Sequence, residues 1–335
     1  MKKRITAGLV LTAAVMLLLG ACAPAEKTSE AYALDTICSQ QVTGRNTDAA
    51  ISDVNEMLAR ITKELSTNEG SYIYDINQKA PQGASVSDEA AQLVSDALRF
   101  AADTDGAFDP TIGAVSSLWN ISEDPRVPTP DEITAALPFV NYHDVTVNGS
   151  TVTLKDSGMR LDLGGIAKGH AADLAIEIYK QQGIDTAILN LGGNVYVYGE
   201  KNDGSDYRVG LRDPLGAENE YAAIIPVQNT SVVTSGVYER FFESGGKTYH
   251  HLLDPKTGYP ADNGLLAVTV VCECSTEADA LSTALFVMGL DNGLAYAERT
   301  PGVEAVFFTN DQNIYATSGL EDKIQITNEA YTLKS

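Results

Sequence analysis

Residues 160–169 read Arg160-Leu161-Asp162-Leu163-Gly164-Gly165-Ile166-Ala167-Lys168-Gly169. A short strand ends at Asp162-Leu163, the paired glycines let the backbone turn and approach a ligand closely, and a helix spanning about 166–179 starts at once. Free N–H groups at a helix start attract anions, and Lys168 adds a positive charge in the first turn. The spacing is neither a Walker A loop nor a dinucleotide GxGxxG fingerprint. A tight strand-to-helix turn with a surface lysine accounts for the same residues, so both readings stand on this stretch alone.

Outward from it, helical spacing recurs. Ile51, Val54, Leu58, Ile61 and Leu65 share one helix face. Ser87 caps a second helix carrying Ala90, Leu93, Val94, Ala97, Leu98 and Ala101. Thr129-Pro130-Asp131-Glu132 is a capping box with Pro at the first helical position. A further helix is expected over about 276–288, with Ser275 as its cap. Strand patterns fall at 186–191, 195–198, 207–211, 222–227, 232–234, 267–272, 303–308, 314–316 and 324–327. Hairpins are expected over 145–154, around Asn148-Gly149, and over 238–253, turning at Gly245-Gly246. Helices and hairpins intermingle without strict βαβ alternation. The expected class is therefore α+β, one domain over 31–335 with largely antiparallel sheets and packed helices.

The chain has 335 residues, 44% hydrophobic and 20% charged, and a formal net charge of -22. Met1-Lys2-Lys3-Arg4 is a basic start, and the apolar run 5–19 completes an export signal. Leu19-Gly20-Ala21-Cys22 looks like the bacterial lipoprotein box, in which the cysteine receives a diacylglyceryl group and becomes the first residue. An uncleaved signal-anchor helix is the alternative, but the run is short for a span. The expected organisation is a signal peptide at 1–21, a lipidated tether at 22–30, and a lipid-anchored protein on the extracytoplasmic face of the cell membrane. Loss of Lys2, Lys3 and Arg4 takes the net charge from -22 to -25. So acidic a chain repels nucleic acid, which is set aside as a partner, and an anionic ligand would need a local cation or metal. Cys38, Cys272 and Cys274 form no disulfide framework; the last two alternate along a strand-like run and read as small hydrophobes, with metal binding the alternative.

Three further constellations carry chemistry. Asp279 and Thr283 lie four apart on the fourth helix and share a face, offering two hard oxygens that suit Mg²⁺ better than zinc. A solvated aspartate with a threonine bonding back to its own helix is the plainer account. In 248–260, His250 and His251 point to opposite faces of a strand, so at most one faces a given site, where an imidazole can take a proton. In Gly106-Ala107-Phe108-Asp109-Pro110-Thr111-Ile112-Gly113, Phe108 could stack on a planar ring and Asp109 could bond a sugar or base edge; a capped turn explains them nearly as well.

Taken in order, these segments resemble the FAD:protein FMN transferase family, also called the ApbE or thiamine-biosynthesis-lipoprotein family. The resemblance runs through Ala107-Phe-Asp-Pro-Thr111, Asp162-Leu-Gly-Gly-Ile-Ala-Lys168-Gly169, Asn190-Leu-Gly-Gly-Asn194 and Val209-Gly-Leu-Arg-Asp-Pro214. Thr234-Ser-Gly236, His251-Leu-Leu-Asp-Pro-Lys-Thr-Gly258 and Ala278-Asp-Ala-Leu-Ser-Thr283 complete it. It implies a T-fold-like domain that holds FAD, with Mg²⁺ at the pyrophosphate, and joins FMN through its phosphate to a Thr or Ser of an acceptor protein, releasing AMP. It implies metal ligands at Asp279, Thr283 and the Gly165 carbonyl, and FAD contacts at Leu34, Asn68, Ala107, Phe108, Asp109, Asp162, Lys168 and Leu253. His251 matches the histidine that deprotonates the acceptor hydroxyl. Acceptors implied are FMN-carrying subunits of membrane redox complexes or extracytoplasmic flavin domains.

The chain departs from the family pattern twice. Leu34-Asp35-Thr36 stands where Met-Gly-Thr is common, and Leu65-Ser66-Thr67-Asn68 where Leu-Ser-Thr-Tyr is common. Losing that aromatic ring removes a stacking surface worth ~1–3 kcal/mol by analogy with base–aromatic stacking. The same parts would then hydrolyse FAD to FMN and AMP, which makes a Mg²⁺-dependent FAD pyrophosphatase the second reading. A non-catalytic flavin carrier is a third, but it would need no metal at a scissile bond.

Overall fold

The computed structural model describes residues 25–201, 203–217 and 219–334, so the signal segment and Cys22 lie outside the described residues. Among the described residues no helix is long and apolar enough to cross a membrane. The expected α+β class holds.

The centre is a nine-stranded sheet whose spatial order follows the chain: β1 (Ala25–Ala33), β2 (Thr36–Gly44), β3 (Ile184–Leu191), β4 (Asn194–Tyr198), β5 (Thr230–Gly236), β6 (Leu265–Cys272), β7 (Glu304–Thr309), β8 (Asn313–Ala316) and β9 (Thr332–Lys334). Neighbours pair antiparallel up to β8, and only β8 and β9 run parallel. Three small antiparallel units flank it: Tyr207–Arg212 with Tyr221–Val227 and Gln325–Ile326, Val145–Asn148 with Thr151–Leu154 and Ala84–Ser85, and the hairpin Phe241–Ser244 with Lys247–His250.

β1 corrects the sequence reading of 22–30 as a tether. From Ala25 on, that polar run pairs residue for residue with β2, from Ala25 opposite Gly44 to Ala33 opposite Thr36. An edge strand with one solvated face needs few apolar residues, so composition alone does not reveal it. Leu34 and Asp35 close the hairpin with φ of 52° and 57°, both left-handed, as a two-residue hairpin turn requires.

Four helices bear on the site: α1 (Thr47–Leu65), α2 (Asp88–Asp103), α3 (Ala167–Gln182) and α4 (Ser275–Met288). α1 and α2 show the expected amphipathic stripes, and Ser87 caps α2 by accepting the Ala90 N–H. α4 is different. Asp279, Ala280, Leu281, Ser282, Leu285 and Phe286 are all buried in it, so it is enclosed on nearly every side rather than half-exposed. Leu281, Leu285 and Phe286 pack into the core of the C-terminal half, each contributing ~1.5–3 kcal/mol.

Neither α3 nor α4 has a side-chain cap of its own. Ser275, expected to cap α4, is instead its first residue, and its hydroxyl donates to Asn194 Oδ1 at 2.9 Å. The cap comes from α3: Asp173 accepts the Ser275 and Thr276 N–H groups at 2.8 Å each and the Thr276 hydroxyl at 2.5 Å. In return, Asp279 of α4 accepts the Gly169 N–H in the first turn of α3 at 2.8 Å. The helices meet at Gly169, where an added Cβ would lie 2.2 Å from the Ser275 carbonyl oxygen. Gly169→Ala is expected to lower stability by about 2 kcal/mol or more through overpacking, and Asp173→Ala by a similar amount through loss of charged caps. Urea denaturation of each variant measures both.

Candidate active site

In the stretch 160–169 the turn and the helix form as expected, but the short strand does not: residues 161–163 have no partner strand among the described residues, and Arg160 makes only an isolated bridge to Ile112. Asp162 Oδ1 accepts the Gly164 N–H at 2.9 Å, Asp162 Oδ2 accepts the Ser116 hydroxyl at 3.0 Å, and α3 follows. One Asp162 oxygen therefore holds the turn and the other ties it to the helix Gly113–Trp119. The structure brings Gly165, Asp279 and Thr283 together. A Cβ on Gly165 would sit 3.5 Å from Thr283 Oγ1 and 3.1 Å from Phe108 Cε2, so a side chain there would fill the space between hydroxyl and ring.

Asp279 is only 3% exposed. The picture of a solvated aspartate does not hold. Oδ2 holds the Gly169 N–H, while Oδ1 lies 3.7 Å from Lys168 Nζ. Lys168 Nζ also reaches the Gly164 carbonyl at 3.5 Å. Thr283 does not bond back to its helix either: the carbonyl of Asp279 is taken by Ser282 Oγ at 2.9 Å, and the Thr283 hydroxyl meets Ser235 Oγ at 3.4 Å. One carboxylate, one hydroxyl and a flexible glycine backbone form a hard-oxygen donor set that fits Mg²⁺. Among the described residues no cluster of three or more His, Cys, Asp or Glu could hold a metal. The two thiols do not form a site: Cys272 is buried, while Cys274, past the strand end, is exposed. Cys274 is thus not the buried hydrophobe its alternation suggested.

The two histidines separate as predicted. The His250 ring packs edge-on against Phe286, 5.7 Å between centroids. His251 Nδ1 lies 3.2 Å from the Arg240 carbonyl. A carbonyl only accepts, so Nδ1 carries the proton and Nε2 keeps its lone pair. Burial first, then the charges of Arg240 and Lys168, push the His251 ring down to about 3. The ring is therefore neutral at any ordinary pH and able to accept a proton.

The remaining residues divide. Phe108 is 5% exposed and flanks Gly165. Asp109 is organised inward: Oδ1 accepts the Thr111 N–H at 2.8 Å and hydroxyl at 2.6 Å, and Oδ2 accepts the Tyr142 N–H at 3.1 Å. Its observed partners make it the capped turn considered above, and they occupy both oxygens an edge contact would use. Burial raises its pKa, with those bonds pulling the other way. Ala107 is buried on the same loop, and Leu253 is buried with Val115, Trp119 and Ile133. Leu34 donates its N–H to Thr62 Oγ1 at 2.9 Å, which ties the first hairpin to α1. Asn68 is exposed, and among the described residues its hydrogen bonds go to Ser66 and Ser71 in its own loop. Sequence reasoning overlooked Asp173 and Ser235, whose partners lie about 100 and 50 residues away in the chain.

Fold and site together define a single-domain α+β protein that gathers a lysine and hard oxygen donors where two helices begin, the equipment for a phosphorylated ligand. The sequence model of the ApbE family matches residues 34–307, and the chain belongs to that family. It is 35% identical over 323 residues to the FAD:protein FMN transferase of Treponema pallidum (strain Nichols), covering 90% of this chain and 89% of that protein. Against an enzyme of the same name from Klebsiella pneumoniae (strain 342) it is 36% identical over 276 residues, covering 81% and 85%. The crystal structure of the ApbE protein of Thermotoga maritima superposes with a TM-score of 0.84 at 33% identity, covering 89% of this chain and 99% of that one. The apo flavinyl transferase ApbE of Pseudomonas stutzeri gives 0.79 at 29%, covering 90% and 97%.

The burial of Asp279 separates its two duties. Asp279→Asn keeps an oxygen for the Gly169 N–H and is expected to stay within about 1 kcal/mol of the parent while losing stabilisation by Mg²⁺. Asp279→Ala orphans that N–H and is expected to cost about 1–3 kcal/mol as well. Thermal unfolding with and without Mg²⁺ reads both effects.

Proposed function

We propose that this chain is an FAD:protein FMN transferase that joins FMN, through its phosphate, to a Thr or Ser hydroxyl of an acceptor protein and releases AMP. The observation that carries the reading is the convergence of Asp279, Thr283, Gly165 and Lys168 at the start of α3, in a chain of the ApbE family. Asp279, Thr283 and the Gly165 carbonyl would hold Mg²⁺. When bound, the ion would neutralise charge on the pyrophosphate oxygens.

The chain's own residues supply the rest. Lys168 favours the pyrophosphate, offsetting the charge of so acidic a protein; the Ala167 and Gly169 N–H groups at the start of α3 are already held by the Leu163 carbonyl and Asp279. Phe108, beside Gly165, would flank the bound ligand, and the family resemblance adds Ala107, Leu34 and Leu253 as its apolar contacts. His251 Nε2 takes the proton of the acceptor hydroxyl as its oxygen bonds to the FMN-side phosphorus. The bond from that phosphorus to the bridging oxygen breaks, and AMP leaves with that oxygen. Asp162 and Asp109 act by shaping the two loops.

Asn68 supports a second reading. With no ring at that position, water can stand in for the acceptor hydroxyl, and the same steps yield FMN and AMP. The N-terminal signal supports a lipid anchor at Cys22, on the extracytoplasmic face. There, FMN-carrying redox subunits of the membrane would be the acceptors.

The test incubates the chain from Ala25 onward with FAD and Mg²⁺, with and without a small acceptor domain bearing a flavinylation threonine. AMP release that depends on acceptor, with the acceptor gaining the mass of FMN, is expected; free FMN and AMP in equal amounts without acceptor would establish the hydrolase instead. Asn68→Tyr is expected to shift product from free FMN toward the acceptor. His251→Gln should lower transfer by about 10²–10⁴-fold. The pH profile of the parent should show no acid limb near 6.5 from His251, because its folded value lies below the unfolded one. By the same linkage, stability contributed by the neutral ring is complete above 6.5 and is lost as pH falls toward 3.

A further inference from the structure

From Thr283, one of the proposed metal ligands, a chain of hydroxyls runs to the Asp279 backbone carbonyl through Ser235 and Ser282, two residues that the proposed chemistry does not itself use. Thr283 Oγ1 lies 3.4 Å from Ser235 Oγ, Ser235 Oγ lies 2.8 Å from Ser282 Oγ, and Ser282 Oγ lies 2.9 Å from the backbone carbonyl of Asp279. Ser235 sits at the end of β5 and is 7% exposed, and Ser282 is fully buried.

The direction of this chain follows from proton counting. Each hydroxyl has a single proton, and the Asp279 carbonyl can only accept. Ser282 donates its proton there. Ser235 must therefore donate to Ser282, which leaves Ser235 only lone pairs to offer Thr283. Thr283 then donates to Ser235. A helical threonine ordinarily turns its hydroxyl back to the carbonyl four residues earlier, here that of Asp279. Ser282 occupies that carbonyl, and Thr283 is turned toward β5 instead.

We propose that Ser235 is a positioning residue for the divalent cation: by accepting the Thr283 proton, it aims the lone pairs of Thr283 away from β5 and toward Gly165 and Asp279. A neutral hydroxyl binds a cation only through its lone pairs, so an orientation with the proton in the site would oppose binding. Outer partners of this kind typically change metal affinity by about 10–100-fold when removed. The inference rests on the metal reading above and adds the residue that orients one of its ligands.

The test is Mn²⁺ binding to the mature protein in detergent, followed by loss of the free-ion electron paramagnetic resonance signal, with no turnover involved. Ser235→Ala is expected to weaken Mn²⁺ binding by about 10–100-fold. Its melting temperature without metal should stay near that of the parent. Ser235→Thr, which keeps the hydroxyl, should restore affinity to within about threefold, a rescue that a role in packing alone would not produce. If Ser235→Ala does not fold, Ser235→Cys, with its weaker acceptor, should show the same loss. Parent-like affinity in Ser235→Ala or Ser235→Cys, with affinity lost in Asp279→Asn, would overturn the positioning role and leave the metal site standing. Equal binding by the parent and Asp279→Asn would overturn the metal reading itself.

Discussion

The structure depends on an exchange of caps between two helices. α3 and α4 both begin without a side chain of their own to satisfy their first N–H groups, and each receives a carboxylate from the other. A helix N-terminus carries partial positive charge, so each carboxylate also sits where the local field favours it. The exchange works only because Gly169 lets the backbones touch. With the two starts locked together, Lys168, Gly165 and Thr283 fall around one side of Asp279 as a consequence of the helix pair.

This arrangement explains how one buried carboxylate can serve structure and chemistry together. Oδ2 of Asp279 belongs to the α3 backbone, while Oδ1 remains with Lys168. A carboxylate held by a backbone N–H is already oriented before any ligand arrives, so little order has to be gained on binding. Lys168 supplies the local positive charge that a protein of net charge -22 needs to hold a pyrophosphate. The same enclosure acts on His251, whose neutral ring, with its Nδ1 proton held by the Arg240 carbonyl, is left with one basic nitrogen.

Local signals were legible in the sequence wherever they were self-contained. The capping box at Thr129 and Glu132 is made, Ser87 caps its helix, and the hairpin at Asn148-Gly149 forms, because each is settled by residues within four positions of one another. Gly165, Asp279 and Thr283 were legible by resemblance as a set. The edge strand Ala25–Ala33 was not legible, since its polar composition reads as a tether until β2 is beside it.

What the sequence by itself determined is the α+β class, the family, the glycine turn before α3 and the residue types available for chemistry. What only the tertiary structure decided is their working state. Asp279 is buried rather than solvated, Asp109 is engaged by its own loop, Thr283 is turned from its helix, and Asp173 and Ser235 enter as partners. The physical reason is range. Turns, caps and amphipathic faces are set by neighbours in the chain, whereas burial, hydroxyl direction and the caps exchanged between α3 and α4 depend on groups brought together from 47 to 110 residues apart.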